Sequence, residues 1–481
     1  MLMISVFFKT YGCLANTADS ENLANFLRGL GCEIVTTESD ADLILINSCA
    51  IREKAEHKLF SYIGRLLPYV KRKPHLKIGV IGCVASYRKR DFFELASYIS
   101  FVFGAKDDIK VFRAYLVDVI TNLETEKQFL LCPKATKDRF CVPKRLRDKD
   151  VQKIVDRKKL QVPRSVSDKV LHSDDRVKRA VVNIMTGCNN YCSYCIVPFV
   201  RGRERSFPMP EILDRIKKEI AAGVTEINLL GQNVNSYKDQ ETGAGFAKLL
   251  EQVAHLDGEF WIRFVSAHPK DMSIDVLDVM AAHPKKICPW VHLPLQAGSN
   301  KILKLMNRTY TVEQFIEQVG WIRERMPHAT ISTDIIVGFP GETEEDYQET
   351  RKVMEDVKFD FVFSFIFSPR KYTKAADMKD DCSPADKLER LEALQKRQKE
   401  ISKEQNKKLI GKNFRVLIEN PLRRGKGILF GKTASNIRVS VKSDDVSLVN
   451  KFIDVIVESA QETLVECSIR EKIKEKLSDC V

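Results

Sequence analysis

The sequence predicts an α/β protein in three parts: an N-terminal doubly wound parallel sheet, a central partial (β/α)6 barrel and a small C-terminal β-barrel. Over residues 1–120 and 174–405, apolar runs typical of buried strands alternate with amphipathic segments, which indicates parallel sheets covered by helices. Residues 407–471 contain short strands separated by Gly, Pro and Asn, which is typical of a small barrel. The length of 481 residues agrees with about two to four domains.

The N-terminal part has three apolar strands, expected at 4–9, 42–47 and 77–82, with helices expected at 18–30 and 52–67. A cysteine follows each strand, and these are Cys13, Cys49 and Cys83. Ligands of open α/β sheets bind at the carboxyl ends of the strands. We therefore expect the three thiols to lie at one rim of the sheet.

The central part has six strand candidates. These are 180–186, 225–231, 260–265, 287–293, 329–338 and 361–367. Amphipathic segments such as 211–223 and 312–326 separate them, and a charged helix is expected at 384–409. Six such units predict a parallel sheet curved into a partial barrel, with its active site at the carboxyl-terminal rim.

The chain is basic, with 78 Lys and Arg against 65 Asp and Glu. Much of the excess lies in two stretches. The first is 131–180, most of which falls within an expected linker at 121–173. The second is 421–442, which has no acidic residue. A basic balance favours an acidic partner such as nucleic acid, although a solvated connector and a merely soluble basic surface remain alternatives.

The motif GCNNYCSYC places Cys188, Cys192 and Cys195 at C-x3-C-x2-C spacing directly after the first barrel strand. Three thiolates on a short loop suit an iron–sulfur cluster in which one iron keeps an open position. A zinc site lacking its fourth ligand is the alternative, but the next histidine is His255. The total of 13 cysteines is odd, which argues against a disulfide framework and for a reducing compartment.

The cysteine motif resembles the radical S-adenosylmethionine superfamily. A longer set of motifs resembles its methylthiotransferase family over nearly the whole chain: KTYGCLAN, INSCAIREKAEHKLF, GCNNYCSYCIVPFVRGRERS, GQNVNSY, SAHPKD, HLPLQAGSNKILKLMNR and TDIIVGFPGETEEDY. The segment INSCAIREKAE is most similar to the MiaB branch, which acts on tRNA, rather than the branch that acts on a ribosomal protein.

The resemblance implies two 4Fe-4S clusters and S-adenosylmethionine as cofactors. Cys188, Cys192 and Cys195 would hold the cluster that cleaves S-adenosylmethionine to a 5′-deoxyadenosyl radical. The three strand-end cysteines would hold the second cluster, whose open iron would carry sulfur. The implied domains are a methylthiotransferase N-terminal domain at 1–120, a radical S-adenosylmethionine core at 174–405 and an RNA-binding TRAM barrel at 407–471.

The superfamily further implies contacts to S-adenosylmethionine from Tyr194, Gln232 and Asn233. The rim position of Ser266, His268 and Gln296 makes them candidates for contacts to cofactor or substrate. Arg201, Arg203 and Arg205 are candidates for contacts to S-adenosylmethionine or to the RNA backbone. The alternative for each of these residues is a purely structural role, either in a hydrogen bond or in a turn. Two departures from the family pattern affect substrate fit: Phe207 stands where the family has Arg, and Tyr372 and Lys374 replace small, rigid residues.

The implied reaction is methylthiolation of C2 of N6-isopentenyladenosine beside the anticodon. The expected partners are the tRNA anticodon stem-loop, an electron donor protein and a sulfur source. We expect a cytoplasmic monomer without a membrane span, and basic stretches that hold tRNA against the barrel mouth. The alternatives are the same chemistry on threonylcarbamoyl-adenosine tRNA or a ribosomal-protein aspartate, and a non-catalytic RNA-binding protein with structural metal.

Overall fold

The computed structural model describes residues 3–51, 53–130, 178–421 and 427–470. Most of the predicted linker and part of the second basic stretch lie outside these residues. The described chain forms two compact units. The first contains 3–130, 186–190 and 195–205, and the second contains 178–185, 191–194 and the rest from 206 onward.

The first unit is a five-stranded parallel sheet with the strand order β2-β1-β3-β4-β5. Strands β1 to β5 are Ser5–Tyr11, Glu33–Val35, Leu43–Ser48, Lys77–Gly82 and Phe101–Gly104. Helices α1 to α5 are Leu14–Gly29, Glu53–Arg65, Leu67–Arg72, Lys89–Leu95 and Ile109–Leu130. Alternate side chains of β3 enter different cores, since Leu43 and Leu45 pack on one face while Ile44 and Ile46 pack on the other. The sheet is therefore covered on both faces, as predicted.

The boundaries differ from the expectation in three places. Helix α1 begins at Leu14 rather than near residue 18, because Cys13 has extended backbone angles and serves as its N-cap. The short edge strand β2 has too few apolar residues to stand out in the sequence. Helix α5 continues to Leu130, so the first ten residues of the expected linker, 121–130, are helical.

The second unit contains the predicted partial barrel. Strands β6 to β13 are Arg179–Asn183, Met185–Thr186, Arg205–Ser206, Glu226–Leu230, Trp261–Phe264, Trp290–His292, Thr330–Val337 and Phe361–Ile366. Helices α6 to α13 are Val197–Arg201, Met209–Ala221, Phe246–Ala254, Ile274–Ala282, Asn300–Leu305, Val312–Arg325, Glu344–Val357 and Pro384–Lys407. The three-stranded parallel sheets β6-β9-β10 and β11-β12-β13 are joined by a bridge between Ile262 and Ile287. Six parallel strands thus follow one another in chain order, and the predicted strand 180–186 is two strands, β6 and β7.

The C-terminal residues form a closed five-stranded barrel in the order β14-β15-β16-β18-β17. Strands β14 to β18 are Asn413–Pro421, Ile428–Thr433, Arg438–Lys442, Phe452–Ala460 and Val465–Ile469. Its core is built from inward-facing aliphatic side chains such as Val416, Val439 and Val455. This confirms the small barrel predicted from the spacing of short strands.

This barrel docks on the amino-terminal ends of the central strands. Arg263 of β10 donates to the carbonyl oxygens of Thr433 and Ala434 at 2.9 and 2.8 Å, and the Thr330 hydroxyl of β12 donates to Ser435 O. These contacts do not test the expectation that the basic stretches hold tRNA against the barrel mouth. Within the described residues, no helix is long and apolar enough to cross a membrane.

Candidate active site

The first unit brings the three strand-end thiols to one rim. Strands β1, β3 and β4 are neighbours, and their last residues are in register, with Tyr11 paired to Ser48 and Ser48 paired to Gly82. Cys49 and Cys83 follow at the next position, and Cys13 follows one residue later. The sheet register therefore sets all three cysteines at the same level, as the strand-end rule predicts.

The environment of Cys13 favours a thiolate. Cys13 caps helix α1, where the amide groups of the first turn carry partial positive charge. The hydrogen bond from Cys49 lowers the pKa of Cys13 to about 5, and contacts with the backbone of Asn16 and the charge of Arg201 act in the same direction. Burial raises the pKa of Cys83, and Arg201 opposes that rise. Thiolates are the form that binds iron.

Two buried amide side chains support this rim from below. Asn16 donates to Asn47 Oδ1 at 2.9 Å, and Asn47 donates to Asn16 O at 2.9 Å and to Ser20 Oγ at 3.0 Å. Both amides are fully buried, so their hydrogen bonds hold the chain next to Cys13 and Cys83 in a fixed position. Sequence reasoning missed this pair, although an Asn ending the apolar run LILIN is a detectable signal.

The segment after the cysteine motif contributes a cation to the same unit. The Arg201 side chain, at the end of α6, donates to Asp19 Oδ2 at 2.7 Å and is also hydrogen bonded to Cys83. The sequence suggested Arg201 as a contact of cofactor or RNA. In the structure it lies beside the strand-end thiols. Arg203 is exposed on the same segment.

The C-x3-C-x2-C loop is described in two parts, because Cys188 and Cys195 belong to the first unit and Cys192 and Tyr194 belong to the second. The turn before Cys188 depends on glycine, because Gly187 has φ of 81° and a Cβ there would meet Arg203 O at 2.0 Å. Cys188 N–H then donates to Gly202 O at 3.2 Å.

The second unit fixes the middle of the loop by backbone contacts. Ser193 N–H donates to Met306 O, its hydroxyl donates to Leu305 O, and its carbonyl accepts from Ala375 N–H. The Tyr194 ring packs edge-on to Phe339 of the barrel core. These contacts hold Cys192 in position and leave Tyr194 partly buried.

A buried arginine contacts the central cysteine of the motif. Arg308 Nη1 donates to Cys192 Sγ at 3.4 Å, Nη2 donates to Pro294 O at 2.8 Å and Nε donates to Tyr310 Oη at 3.0 Å. Sequence reasoning missed Arg308, because one arginine in the run ILKLMNRTY gives no periodic signal that it is buried.

Two predicted rim residues have strained backbones. Ser266 and Gln296, which follow β10 and β11, have φ of 72° and 74°, in the region that side chains rarely adopt. Gln296 is held there by hydrogen bonds to β12, since its N–H donates to Asp334 O and its carbonyl accepts from Ile336 N–H. Such strain collects at binding and catalytic sites, where the surrounding structure enforces it.

The turn Pro269–Asp271 orients three polar side chains. Lys270 N–H donates to His268 Nδ1 at 3.2 Å, and the Asp271 carboxylate accepts from Asn233 Nδ2 at 2.6 Å. Asn235 Nδ2 contacts Met272 Sδ at 3.5 Å. The opposite atoms, His268 Nε2, Asn233 Oδ1 and Asn235 Oδ1, are buried and have no partner among the described residues.

These unpartnered atoms have a defined hydrogen-bonding character. His268 Nδ1 accepts a hydrogen bond from Lys270 N–H, so the neutral ring carries its hydrogen on Nε2. That nitrogen is therefore a donor. The two asparagine oxygens are acceptors. Buried polar atoms are nearly always satisfied, so a ligand that offers both an oxygen and an N–H donor fits here. Gln232 lies at the same strand end and is half-buried.

No three His, Cys, Asp or Glu side chains within the described ranges converge closely enough to bind a single metal ion. A cubane cluster needs no such convergence, because each of its thiolates binds a different iron.

Comparison with known proteins places these features in a family. The model of the radical SAM superfamily matches residues 182–354, and that of the uncharacterized protein family UPF0004 matches residues 5–104. A tRNA-2-methylthio-N(6)-dimethylallyladenosine synthase from Thermodesulfovibrio yellowstonii is 41% identical over 440 residues, which cover 92% of this chain and 93% of that protein. The chain belongs to this synthase family. The protein of the same name from Pelotomaculum thermopropionicum is 38% identical and covers 94% of each chain.

The fold of this family member also resembles a solved structure. The radical S-adenosylmethionine methyltransferase TsrM from Kitasatospora setae superposes with a TM-score of 0.52 at 14% identity, over 77% of this chain and 75% of that one. At this identity the likeness shows the fold alone. Family membership confirms that the chain is an enzyme of the radical S-adenosylmethionine type, with the 4Fe-4S cluster and S-adenosylmethionine that this implies.

The two departures from the family pattern occupy different environments. Phe207 packs against the barrel core, and its carbonyl accepts from the Tyr237 hydroxyl at 2.9 Å. Tyr372 is exposed and has φ of 73°. Lys374 is exposed beside Ala375, whose N–H holds the cysteine loop.

We predict that Gly82→Ala disrupts the strand-end rim. Gly82 has φ of 92°, and a Cβ would meet Asn47 Oδ1 at 2.1 Å. The substitution should cost about 1–3 kcal/mol in backbone strain and displace Asn47, so iron bound by the reconstituted protein should fall. Gly64→Ala is the control, because a Cβ there meets nothing within 4 Å. Equal iron content and equal thermal midpoints in the two variants contradict this prediction.

We predict that His268 stays neutral, with its proton on Nε2, from pH 8 to pH 5. Burial lowers the pKa of His268 to about 2, and the charges of Arg308 and Lys270 add to this. Because the unfolded residue titrates near pH 6.5, its contribution to stability is complete above that value and falls by about 1.4 kcal/mol per unit as pH is lowered further. Nitrogen-15 shifts of labelled histidine measure the tautomer directly. An imidazolium signal at pH 6 contradicts this.

Proposed function

We propose that this chain transfers a methylthio group to C2 of N6-isopentenyladenosine beside the anticodon of tRNA. The similarity to proteins named tRNA-2-methylthio-N(6)-dimethylallyladenosine synthase, 41% identical over 92% of the chain, supports this choice of substrate most strongly. Two separate sets of three cysteines support the chemistry.

The six motif cysteines are assigned as catalytic ligands of two 4Fe-4S clusters. Cys188, Cys192 and Cys195 hold the cluster that supplies an electron for reductive cleavage of S-adenosylmethionine, which yields the radical needed at an unactivated aromatic carbon. Cys13, Cys49 and Cys83 hold the second cluster. The aligned strand ends and the lowered pKa of Cys13 fit such a thiolate ligand set.

The unpartnered atoms of the second unit fit the amino acid end of S-adenosylmethionine. His268 Nε2–H would donate to an oxygen, while Asn233 Oδ1 and Asn235 Oδ1 would accept from an ammonium group. The other assigned cofactor contacts are Tyr194, Gln232, Ser266, Gln296 and Arg203. Because Nδ1 accepts from Lys270 N–H, the neutral ring of His268 presents Nε2–H as a donor, and its burial keeps water from competing.

The C-terminal barrel is assigned as an RNA-binding TRAM module at 407–471, following the N-terminal domain at 1–120, the linker at 121–173 and the radical core at 174–405. On its surface Arg438 and Lys442 are exposed at the two ends of β16 and are available to phosphates. Lys432, by contrast, contacts Glu419 at 3.5 Å and is mostly buried. The assigned partners are the anticodon stem-loop, an electron donor protein and a sulfur source, for a cytoplasmic monomer.

Nucleoside analysis of tRNA tests the proposal. The chain is expressed in a strain that lacks its own synthase, and the digested tRNA is analysed by mass spectrometry. We expect 2-methylthio-N6-isopentenyladenosine to appear and N6-isopentenyladenosine to fall. If the isopentenyl nucleoside is unchanged while a methylthiolated threonylcarbamoyl-adenosine or ribosomal aspartate appears, the substrate assignment is wrong.

Anaerobic reconstitution tests the chemistry separately. The proposal expects about eight irons per chain and reductive cleavage of S-adenosylmethionine with dithionite. Absence of cleavage in a protein that still binds RNA favours a non-catalytic RNA-binding protein instead.

A further inference from the structure

Arg308 is a buried cation without a carboxylate partner among the described residues. Its side chain is 8% exposed and lies in the loop between α10 and α11. All its hydrogen-bond partners are uncharged oxygens or the sulfur of Cys192. In the part of the chain that the structure describes, the salt bridges include none to Arg308.

Other arginines of the same unit, buried Arg263 and half-buried Arg390, are paired with carboxylates. Arg263 Nε lies 2.7 Å from Glu226 Oε2, and Arg390 Nη1 lies 2.9 Å from Glu342 Oε2. A buried charge without a counter-charge costs several kcal/mol, so such groups are paired or bind an ion. The exception at Arg308 points to a negative group that occupies the space beside it when the protein is loaded.

The sulfur atom that Arg308 contacts identifies that group. Cys192 Sγ lies 3.4 Å from Nη1, and Cys192 is the middle cysteine of the C-x3-C-x2-C motif. A thiolate accepts a charge-assisted hydrogen bond from a guanidinium, and Arg remains charged at every working pH. One carbonyl oxygen and one phenol oxygen accept from two further N–H groups and fix the direction of the guanidinium.

We propose that the 4Fe-4S cluster held by Cys192 is the counter-charge of Arg308, and that Arg308 raises the reduction potential of this cluster. Reduction adds negative charge, which a nearby cation stabilises, and hydrogen bonds to cluster sulfurs act in the same direction. Arg308 is a positioning residue, because it acts through the cysteine. This inference rests on the proposed assignment of Cys192 as a cluster ligand.

A redox titration followed by electron paramagnetic resonance tests the inference. The full chain carries Cys13→Ala, Cys49→Ala and Cys83→Ala, so that only one cluster contributes to the signal. In this background Arg308→Gln should lower the equilibrium constant for reduction at least tenfold, equal to a shift of about 59 mV to more negative potential. Arg308→Lys, which keeps the charge, should recover most of the shift.

Arg325→Gln is the matched control. It removes the same charge from the end of α11, where Arg325 binds Asp278 at the surface. Its potential should equal that of the parent protein. An unchanged potential in Arg308→Gln, or equal shifts in the Gln and Lys variants, overturns the inference.

Iron content separates the remaining outcomes. If Arg308→Gln loses iron while its circular dichroism is unchanged and Arg308→Lys retains iron, the need for a counter-charge is supported. If both variants lose iron equally, the charge is not what matters and the inference fails. If the parent itself binds no iron on this loop, the assignment of Cys192 fails, and the proposed function fails with it.

Discussion

Cys188→Ala should abolish both cleavage of S-adenosylmethionine and methylthiolation of tRNA, whereas Cys13→Ala should abolish methylthiolation and leave cleavage intact. Under the proposed assignment, each substitution removes one of three ligands from one of two clusters. Iron content should then fall from about eight to about four per chain in both variants. The same assignment gives the supply of the electron to the cluster on the 187–195 loop alone, so only its loss should stop radical formation.

The structure supports this separation because the two ligand sets depend on different supports. Cys13 is held by the register of β1, β3 and β4 and by the buried Asn16–Asn47 pair. The loop of the other set is held by the turn at Gly187 and by the contacts of Ser193. Loss of one thiol should therefore leave the supports of the other set unchanged.

Two measurements on each purified variant check the prediction. Formation of 5′-deoxyadenosine with dithionite reports cleavage, and mass spectrometry of tRNA nucleosides reports the transfer. Cys382→Ala is the control, since that partly buried thiol belongs to neither set, and both activities should match the parent. Loss of cleavage in Cys13→Ala, at unchanged iron on the other loop, would show that the clusters do not have separate roles.

The rim of the first unit could be predicted because its cause is local. A buried strand ends where its apolar run ends, and parallel strands place their ends together, so three strand-end cysteines had to meet. The register of Tyr11, Ser48 and Gly82 agrees with that rule. The start of α1 at Leu14 was missed, because cysteine is not among the usual capping residues and gave no start signal.

Arg308 and the direction of His268 could not be predicted, because the first depends on a contact between residues far apart in sequence and the second on the backbone geometry of a local turn. Arg308 meets Cys192 across more than a hundred residues. The residue type of His268 and its place after a strand were visible in the sequence. Its direction follows only from the turn Pro269–Asp271. In this turn Lys270 N–H donates to His268 Nδ1, which leaves Nε2 as the buried donor.

The docking of the C-terminal barrel was also beyond the sequence. Its existence followed from the spacing of short strands, but its position depends on a buried ion network. The basic stretch 421–442 suggested that its lysines and arginines face RNA. Lys432 instead turns toward Glu419, which is itself bound by Arg179. A count of charges along the sequence does not distinguish a lysine or arginine in a structural ion pair from one that is exposed to solvent.

Glu226→Gln should destabilise the docking of the C-terminal barrel by about 3–5 kcal/mol. Glu226 is buried at the start of β9, where its carboxylate binds Arg179 and Arg263. Burial alone would raise the pKa of Glu226, but the charges of Arg263 and Arg179 lower it to about 2. Glutamine keeps the shape and removes the charge, so buried Arg263 loses the carboxylate that it binds and Arg179 keeps only Glu419.

Thermal unfolding and hydrogen exchange measure this effect. The rate of amide hydrogen exchange should rise in β14 and β15, because Arg263 also donates to the carbonyl oxygens of Thr433 and Ala434. Glu324→Gln is the control, because Glu324 is 77% exposed and its pair with Arg325 should contribute less than about 1 kcal/mol. A loss below about 1 kcal/mol in Glu226→Gln would mean that apolar contacts such as Trp261 with Phe452 hold the barrel alone.

The same network predicts a pH dependence with a definite sign. Because the folded pKa of Glu226 lies below the usual value for glutamate, its contribution is complete above about pH 4.5 and is lost as pH falls toward 2. In this pH window, acidification should therefore reduce the protection of the parent protein's C-terminal barrel from hydrogen exchange. The protection of Glu226→Gln, which is already weaker, should change less. If the two proteins are equally sensitive to acid, protonation of Glu226 is not the cause of the loss. The position of the C-terminal barrel then does not depend on this ion network.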